Sequence, residues 1–458
     1  MSTYDVRVYA LLTNQNTGRT TYTVRWKVAG KPFRDTFATK ALAENFRSKL
    51  VVAQREGVAF DEALGLPEPM ARAQNARTWY EHAVAFVDMK WPRAAGKHRR
   101  SIAEALATVT PALLSTGRGA PKDEEIRRAL YTWAFNKARR DAGPPPDELA
   151  PVIKWLTANT VKLTELTDAA IVRKALDLLA TRLDGKAAAA TTVARKRAVF
   201  YGALRYAVEL RLLEAHPMDH VQWIAPKSTD EVDRRSVVNP KQALALLSAV
   251  CDRDRHLMPF FACMYYAGLR PAEALHLRVD GCELPEKGWG WLHLTGSTQH
   301  VGQDWGDDGA VREDRELKHR AKTATRDVPA PPALVRALRW HLAEFGHAPD
   351  GRLFFARGWR PGPVSLETYT RAWRQAREAA LTPAQQRSPL ARRPYDLRHA
   401  AVSLWLNAGV PAPQVAEWAG HSVHVLLKVY AKCIDGQDEA ARRRIEAALS
   451  VQDDEDKA

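Results

Sequence analysis

Apolar and polar residues alternate from Tyr4 to Leu12 and again from Thr20 to Val28, where Tyr22, Val24, Trp26 and Val28 fall on one face. A period of two is the signature of a half-buried strand. Asn16-Thr17-Gly18 punctuates the turn between the two runs, and Ala29-Gly30-Lys31-Pro32 turns into a third strand ending near Phe37. Thr39 is of N-cap type, and the spacing after it becomes helical to about Gly57. The opening of the chain therefore predicts a three-stranded sheet followed by one helix. Its outward strand positions carry Arg7, Arg25, Lys27 and Arg34.

Gly65-Leu66-Pro67-Glu68-Pro69 reads as a linker, and from about Ala73 to His216 the period is that of helices. The pattern places them at Thr78 to Trp91, Ala95 to Val109, Asp123 to Asn136, Asp168 to Arg182 and Ala189 to Leu213, with breaks at Gly143-Pro144-Pro145-Pro146 and Leu183-Asp184-Gly185. The last helix carries Arg195, Lys196, Arg197 and Arg205 amid Val193, Val199, Phe200, Leu204 and Val208, and Lys97, His98, Arg99 and Arg100 form a second basic cluster. A charged helix face is usually only a solvated face, but an apolar face backed by a basic one is also what a helix lying on DNA needs. A polar stretch from Pro226 to Arg235 reads as a second linker. Asn239-Pro240 then opens a mostly helical region running to about Leu449, interrupted by a β-like stretch from about Gly288 to Val328. The reading is a mainly α chain with small β elements (α+β), divided into residues 1–66, 72–225 and 237–449, with an acidic flexible tail over 450–458.

Composition narrows the partners. The 458 residues carry a formal net charge of +15, and 46% are hydrophobic, so the chain is globular and suited to a polyanion. The four cysteines (Cys251, Cys263, Cys282, Cys433) include no C-x-x-C pair, which argues for reduced thiols rather than a disulfide framework or zinc site. There is no run of about twenty apolar residues and no apolar signal core at the N-terminus, so the expected location is cytoplasmic, with no membrane partner.

The candidate chemistry lies in the last third: Ala267-Gly268-Leu269-Arg270-Pro271-Ala272-Glu273, Tyr395-Asp396-Leu397-Arg398-His399, Gly420-His421 and Tyr430. Arg270 precedes a helix-starting proline, and a helix N-terminus already favours anions. Glu273 could orient it. Taken singly, each of these is better read as a structural ion pair, a cap or a core tyrosine. Taken together, two guanidiniums, an imidazole and a phenol suit a phosphodiester held while a tyrosine oxygen attacks it. No Asp/Glu/His cluster with metal-ligand spacing accompanies them.

At these residues the sequence resembles the tyrosine recombinase (phage integrase) family, and the stretch Trp405-Leu406-Asn407-Ala408-Gly409-Val410 through Ala431-Lys432-Cys433 resembles integrases of actinobacterial mobile elements. The resemblance is strongest over roughly Asn239 to Leu449. It implies a core-binding domain before that region, an arm-type DNA-binding domain at the N-terminus and nucleoid association. It also implies that Tyr430 is the nucleophile of a 3′-phosphotyrosyl intermediate and that Arg270, Arg398 and His421 stabilise the transition state, with no cofactor or metal. Arg25, Lys27, Lys97, Arg99, Arg100, Arg195, Lys196 and Arg197 are the candidate DNA contacts.

The family's general acid is a lysine on a β-hairpin; Lys318 and Lys322 both qualify. The family commonly has His three positions before the second arginine, where this chain has Tyr395. A phenol, with a pKa of about 10, is a poor base, so the group activating Tyr430 is left open, with His399 more often structural in the family. The resemblance implies double-stranded attachment sites and a homotetramer in the synaptic complex. An excisionase and a host DNA-bending protein are accessory partners expected from it alone. The other readings are a catalytically silent DNA-binding regulator and a chromosome-dimer-resolving recombinase.

Overall fold

The computed structural model describes residues 2–16, 19–74, 76–227, 231–307, 309–317, 325–357, 362–433, 442–447 and 449. It divides into two compact units, Met1–Lys227 and Ser228–Ala458.

In the first unit, strand Arg19–Val28 is the centre of a sheet. Lys31–Phe37 pairs with one edge; Val6–Val8 and Leu12–Asn16 both pair with the other. The opening run is thus one strand interrupted. Its register passes from Val8↔Trp26 to Leu12↔Thr23, a slip of one residue that marks a bulge at Tyr9–Leu11. The predicted three-stranded sheet becomes three strand positions filled by four segments. Val24, Trp26 and Val28 point inward, onto Ala43, Leu50 and Ala53 of helix Lys40–Arg55, which Thr39 caps.

The helical part of this unit contains Trp79–Lys90, Gly96–Val109, Asp123–Ala129, Ala150–Asn159, Ala169–Leu179 and Ala190–Glu209. Thr78 and Glu81 form a reciprocal capping box at the first. The indole of Trp79 donates to Thr110 at 3.0 Å, and a nitrogen of the His82 ring lies 2.8 Å from the Ala203 carbonyl. Several elements differ from the periodic reading; Lys137–Ala142 is a short helix the pattern did not place, and Glu68–Gln74 is helical where the pattern read a linker. The predicted helix Asp123 to Asn136 is α-helical only to Ala129 and then widens into a π turn, Leu130–Ala134. Ala150–Asn159 is an additional helix; its Pro151 sits in the first turn, where a missing N–H costs nothing.

In the second unit, Asn239 caps helix Pro240–Arg253 as the sequence predicts. That helix packs on Leu366–Ala380, while Met258–Tyr266 packs on both Pro332–Phe345 and Asp396–Asn407. Phe260, Phe261, Phe354 and Trp373 fill the core; Phe261 and Trp373 stack at 5.1 Å, and the Trp373 indole donates to the Ala391 carbonyl at 2.9 Å. The β-like interruption resolves into Gly290–Leu294 paired with Arg326–Ala330, and a separate hairpin of Gly296–His300 with Arg312–Glu316. A smaller core of Val402, Leu406, Val415, Ala419 and Leu426 includes Tyr430.

Candidate active site

Helix Met258–Tyr266 ends in a left-handed turn at Gly268 (φ +59°). A Cβ there would lie 2.8 Å from the Trp405 ring, so both conformation and space require glycine. The turn delivers Arg270 to the N-terminus of Pro271–His276, where its backbone N–H donates to Glu273 at 2.8 Å and its guanidinium donates to the same carboxylate at 2.6 Å. Its other terminal nitrogen donates to the Gly420 carbonyl at 3.0 Å.

Glu273 is the hub. Its buried carboxylate also receives two bonds from Arg326, at 2.9 and 2.7 Å, and lies 3.9 Å from Arg398. Burial alone would raise its pKa; Arg326, Arg270 and Arg398 outweigh that and hold it at about 2. Three guanidiniums around one carboxylate leave the site with a net positive charge, an environment that demands an anion.

Arg398 is wholly buried near the start of helix Asp396–Asn407. It donates to the carbonyls of Gly268 and Ala419, and to Nε2 of His421 at 3.0 Å, so it ties together the turns that carry Arg270 and His421. The second of these turns is the left-handed cap at Gly420 (φ +63°), where a Cβ would sit 2.3 Å from Arg326. Because a guanidinium can only donate, Nε2 of His421 is an acceptor and its proton resides on Nδ1. That Nδ1 is buried with no hydrogen-bond partner among the described residues. Burial, then Arg398, Arg270 and Arg326, lowers the His421 pKa to about 3, so the ring is neutral and holds a donor in reserve.

Tyr430, at the end of helix Val423–Tyr430, is 1% exposed. Its ring lies between two imidazoles, with centroids 5.6 Å from His399 and 6.1 Å from His421. The hydroxyl is 2.9 Å from Nδ1 of His399. Burial raises the phenol's pKa, and Arg398 only partly offsets this. Tyr395 packs edge-on against His399 at 5.1 Å, and its proximity favours the charged form of Arg270.

Residues 236–435 match the model of the phage integrase family. The chain carries a phage integrase domain. Comparison with curated proteins finds no match. Among solved structures, the chain is similar to the Tn1549 transposon integrase in complex with circular intermediate DNA, at 14% identity over 68% of this chain and 97% of that one (TM-score 0.43). It is similar to XerH site-specific recombinase bound to difH substrate, at 13% identity over 79% and 97% (TM-score 0.43). It is also similar to a lambda integrase tetramer bound to a Holliday junction, at 14% identity over 95% of each chain (TM-score 0.42).

Within the integrase domain, Arg270, Glu273, Tyr395, Arg398, His399, His421 and Tyr430 converge on one place. Lys318 and Lys322 lie outside the described residues. Arg326 escaped the motif-based reading, yet a signal for it exists. It alternates with Val328 and Ala330 on the inward face of its strand, and an arginine at an inward strand position requires a carboxylate partner.

The other basic candidates lie in the first unit. Arg25 and Lys27 are exposed on the sheet, and Lys97 and Arg100 are exposed on their helix. Arg99 is buried, bonded to the Trp91 carbonyl at 3.0 Å with its guanidinium 4.6 Å from the Trp91 ring. Arg195 and Lys196 are paired with Glu104 at 3.0 and 3.2 Å, and Arg197 is half-buried. Half of the predicted basic helix surface is thus engaged within its own domain.

Proposed function

We propose that this chain is a site-specific DNA recombinase, an integrase of a mobile element, that cleaves and rejoins DNA through a 3′-phosphotyrosyl link to Tyr430. The observation that carries the reading is the convergence of Tyr430 with Arg270, Arg398 and the unpartnered Nδ1–H of His421 around a single buried carboxylate. Attack by the phenol oxygen builds negative charge on the non-bridging oxygens of the phosphate. Fixed, charge-assisted donors aimed at such charge are usually the largest source of rate, and loss of one costs about 3–4 kcal/mol. The buried donors are held by backbone carbonyls and by Glu273, so little reorganisation accompanies the reaction. The covalent bond to tyrosine conserves the energy of the broken phosphodiester, and the freed 5′-hydroxyl of a partner duplex reverses the step.

In this reading residues 237–449 are the catalytic domain, 72–225 a core-binding domain and 1–66 an arm-type DNA-binding domain. The partners are double-stranded attachment sites and three further copies of the chain in a synaptic tetramer, with an excisionase and a DNA-bending protein as accessory factors. The work is done on DNA, at the nucleoid. Among the described residues no helix is long and apolar enough to cross a membrane.

The test is a trapping assay with full-length protein and a nicked duplex taken from the DNA beside its own gene, run on a denaturing gel with EDTA present. The expected result is a slow covalent band that disappears in Tyr430→Phe while the binding shift remains. A clear binding shift with no band would overturn the reading in favour of a silent DNA-binding regulator.

A further inference from the structure

Tyr430 must lose a proton to become a nucleophile, and the residues around it leave one place for that proton to go. His421 cannot take it: its Nε2 accepts from Arg398, and its Nδ1 already carries hydrogen. Tyr395 is itself a phenol, and its ring meets His399 rather than the Tyr430 hydroxyl. Arg270, Arg326 and Arg398 only donate. His399 is different. Its Nδ1 lies 2.9 Å from the Tyr430 hydroxyl, within the range for direct proton transfer, and no other hydrogen bond to that hydroxyl is present among the described residues.

We propose that His399 is the general base of this enzyme, taking the Tyr430 proton during strand cleavage and returning it during rejoining. The inference rests on the reading of Tyr430 as the nucleophile. In the forward step the Tyr430 O–H bond breaks and its proton moves to Nδ1. The phenolic oxygen bonds to phosphorus, the bond from phosphorus to the 5′ oxygen breaks, and that oxygen is protonated by a lysine or water. In the reverse step the imidazolium gives the proton back as the phenol leaves.

The surroundings suit both directions. Burial, Arg393 and Arg398 lower the His399 pKa to about 4, so the resting ring is neutral and offers a lone pair. His399 also sits in the first turn of helix Asp396–Asn407, where a cation is disfavoured. A phosphodiester bound by Arg270 and Arg398 offsets part of that positive field, making His399 a better base only when substrate is present. The groups that face it are Arg393, Tyr395 and Arg398 from its own segment and Tyr430 from helix Val423–Tyr430.

The experiment compares covalent-adduct rates of full-length wild type, His399→Ala and His399→Asn on the nicked duplex, with either oxygen or sulfur bridging to the 5′ carbon. A general base contributes about 10²–10⁴-fold. A loss of that size is expected in both variants, with recovery in His399→Ala on adding imidazole. The loss should persist with sulfur, because a thiolate leaves without needing a proton. Full activity in His399→Asn, which retains a hydrogen-bond acceptor but no base, would reduce His399 to a positioning residue. Rescue by sulfur would place it at the leaving group instead. Either result overturns the proposal. A wild type that binds but forms no adduct overturns the recombinase reading and this role with it. Nitrogen-15 NMR of the wild type supplies a substrate-free arm: the expected tautomer has hydrogen on Nε2 of His399, and hydrogen on Nδ1 would refute acceptance from Tyr430.

Discussion

Arg326 and Glu273 meet through two parallel hydrogen bonds, Nη1 to Oε1 at 2.9 Å and Nη2 to Oε2 at 2.7 Å, with both side chains almost fully buried. Arg326 comes from a strand and Glu273 from the helix that Arg270 starts. The pair therefore fixes the Glu273 carboxylate from behind while Arg270, 21% exposed, keeps a face toward solvent. Two arginines on one carboxylate have different duties: Arg326 positions, and Arg270 is available to an anion.

Arg326→Leu leaves Glu273 buried with one fewer counter-charge. Removing one partner of a buried pair costs about 3–5 kcal/mol. Thermal unfolding of the full-length protein should show a loss of that order for Arg326→Leu, and the double variant with Glu273→Leu should recover part of it. A single-variant loss below about 1 kcal/mol would show that the pair does not hold the site.

Much of this arrangement was legible in the sequence because its parts are local. Alternation at Tyr22, Val24, Trp26 and Val28 gave the sheet face, Asn239-Pro240 gave the helix start, and the family-like order of Arg270, Arg398, His421 and Tyr430 named residues that the fold brings together. What stayed hidden depends on tertiary packing. The bulge at Tyr9–Leu11 is a register slip that no period reveals. The pairing of Arg195 and Lys196 with Glu104 joins helices far apart in sequence, so a basic face in the pattern is partly an internal ion-pair network in the fold. The contact of His399 with Tyr430 spans two helices, and nothing in the local spacing of either points to it.

Arg398 is the second test of the site. Its donors are held by the carbonyls of Gly268 and Ala419 and by His421, a fork that lysine's single ammonium cannot reproduce. Arg398→Lys should lower the rate of covalent-adduct formation by about 10²-fold or more. Affinity for the same duplex should change by far less, because one phosphate contact is a small part of a large electrostatic interface. Equal losses in rate and affinity, measured by single-turnover trapping and titration, would make Arg398 a binding residue only.

Acid should weaken the second unit through His256. The ring is 3% exposed, packed among His341, Phe345 and Phe355, and its Nε2 has no partner among the described residues. Burial, His341 and Arg357 lower its pKa from 6.5 to about 4. Below pH 6.5 the unfolded chain takes up a proton that the folded chain refuses, so stability falls as pH drops from 6.5 toward about 4. One such group gives a slope of at most about 1.4 kcal/mol per pH unit. His256→Phe, which keeps an aromatic ring but cannot titrate, should flatten the decline in denaturant titrations across that window; an unchanged slope would assign the acid sensitivity to other groups.

The sheet of the first unit offers a test of DNA contact away from the chemistry. Pairing sets Arg7 opposite Lys27 and Arg25 opposite Arg34, and all four side chains are exposed on the face away from Val24 and Trp26. Four cations on one ridge suit a phosphate backbone, where each neutralised phosphate releases about 0.9 of a counterion. Replacing both Arg25 and Lys27 with alanine should therefore weaken binding to duplexes carrying the outer attachment sequences and reduce the slope of log K against log salt by about 2. Because these residues lie on a solvated surface, the melting temperature should hardly move. A weaker affinity with an unchanged salt slope would mean that the ridge acts through the fold of its domain rather than through phosphates.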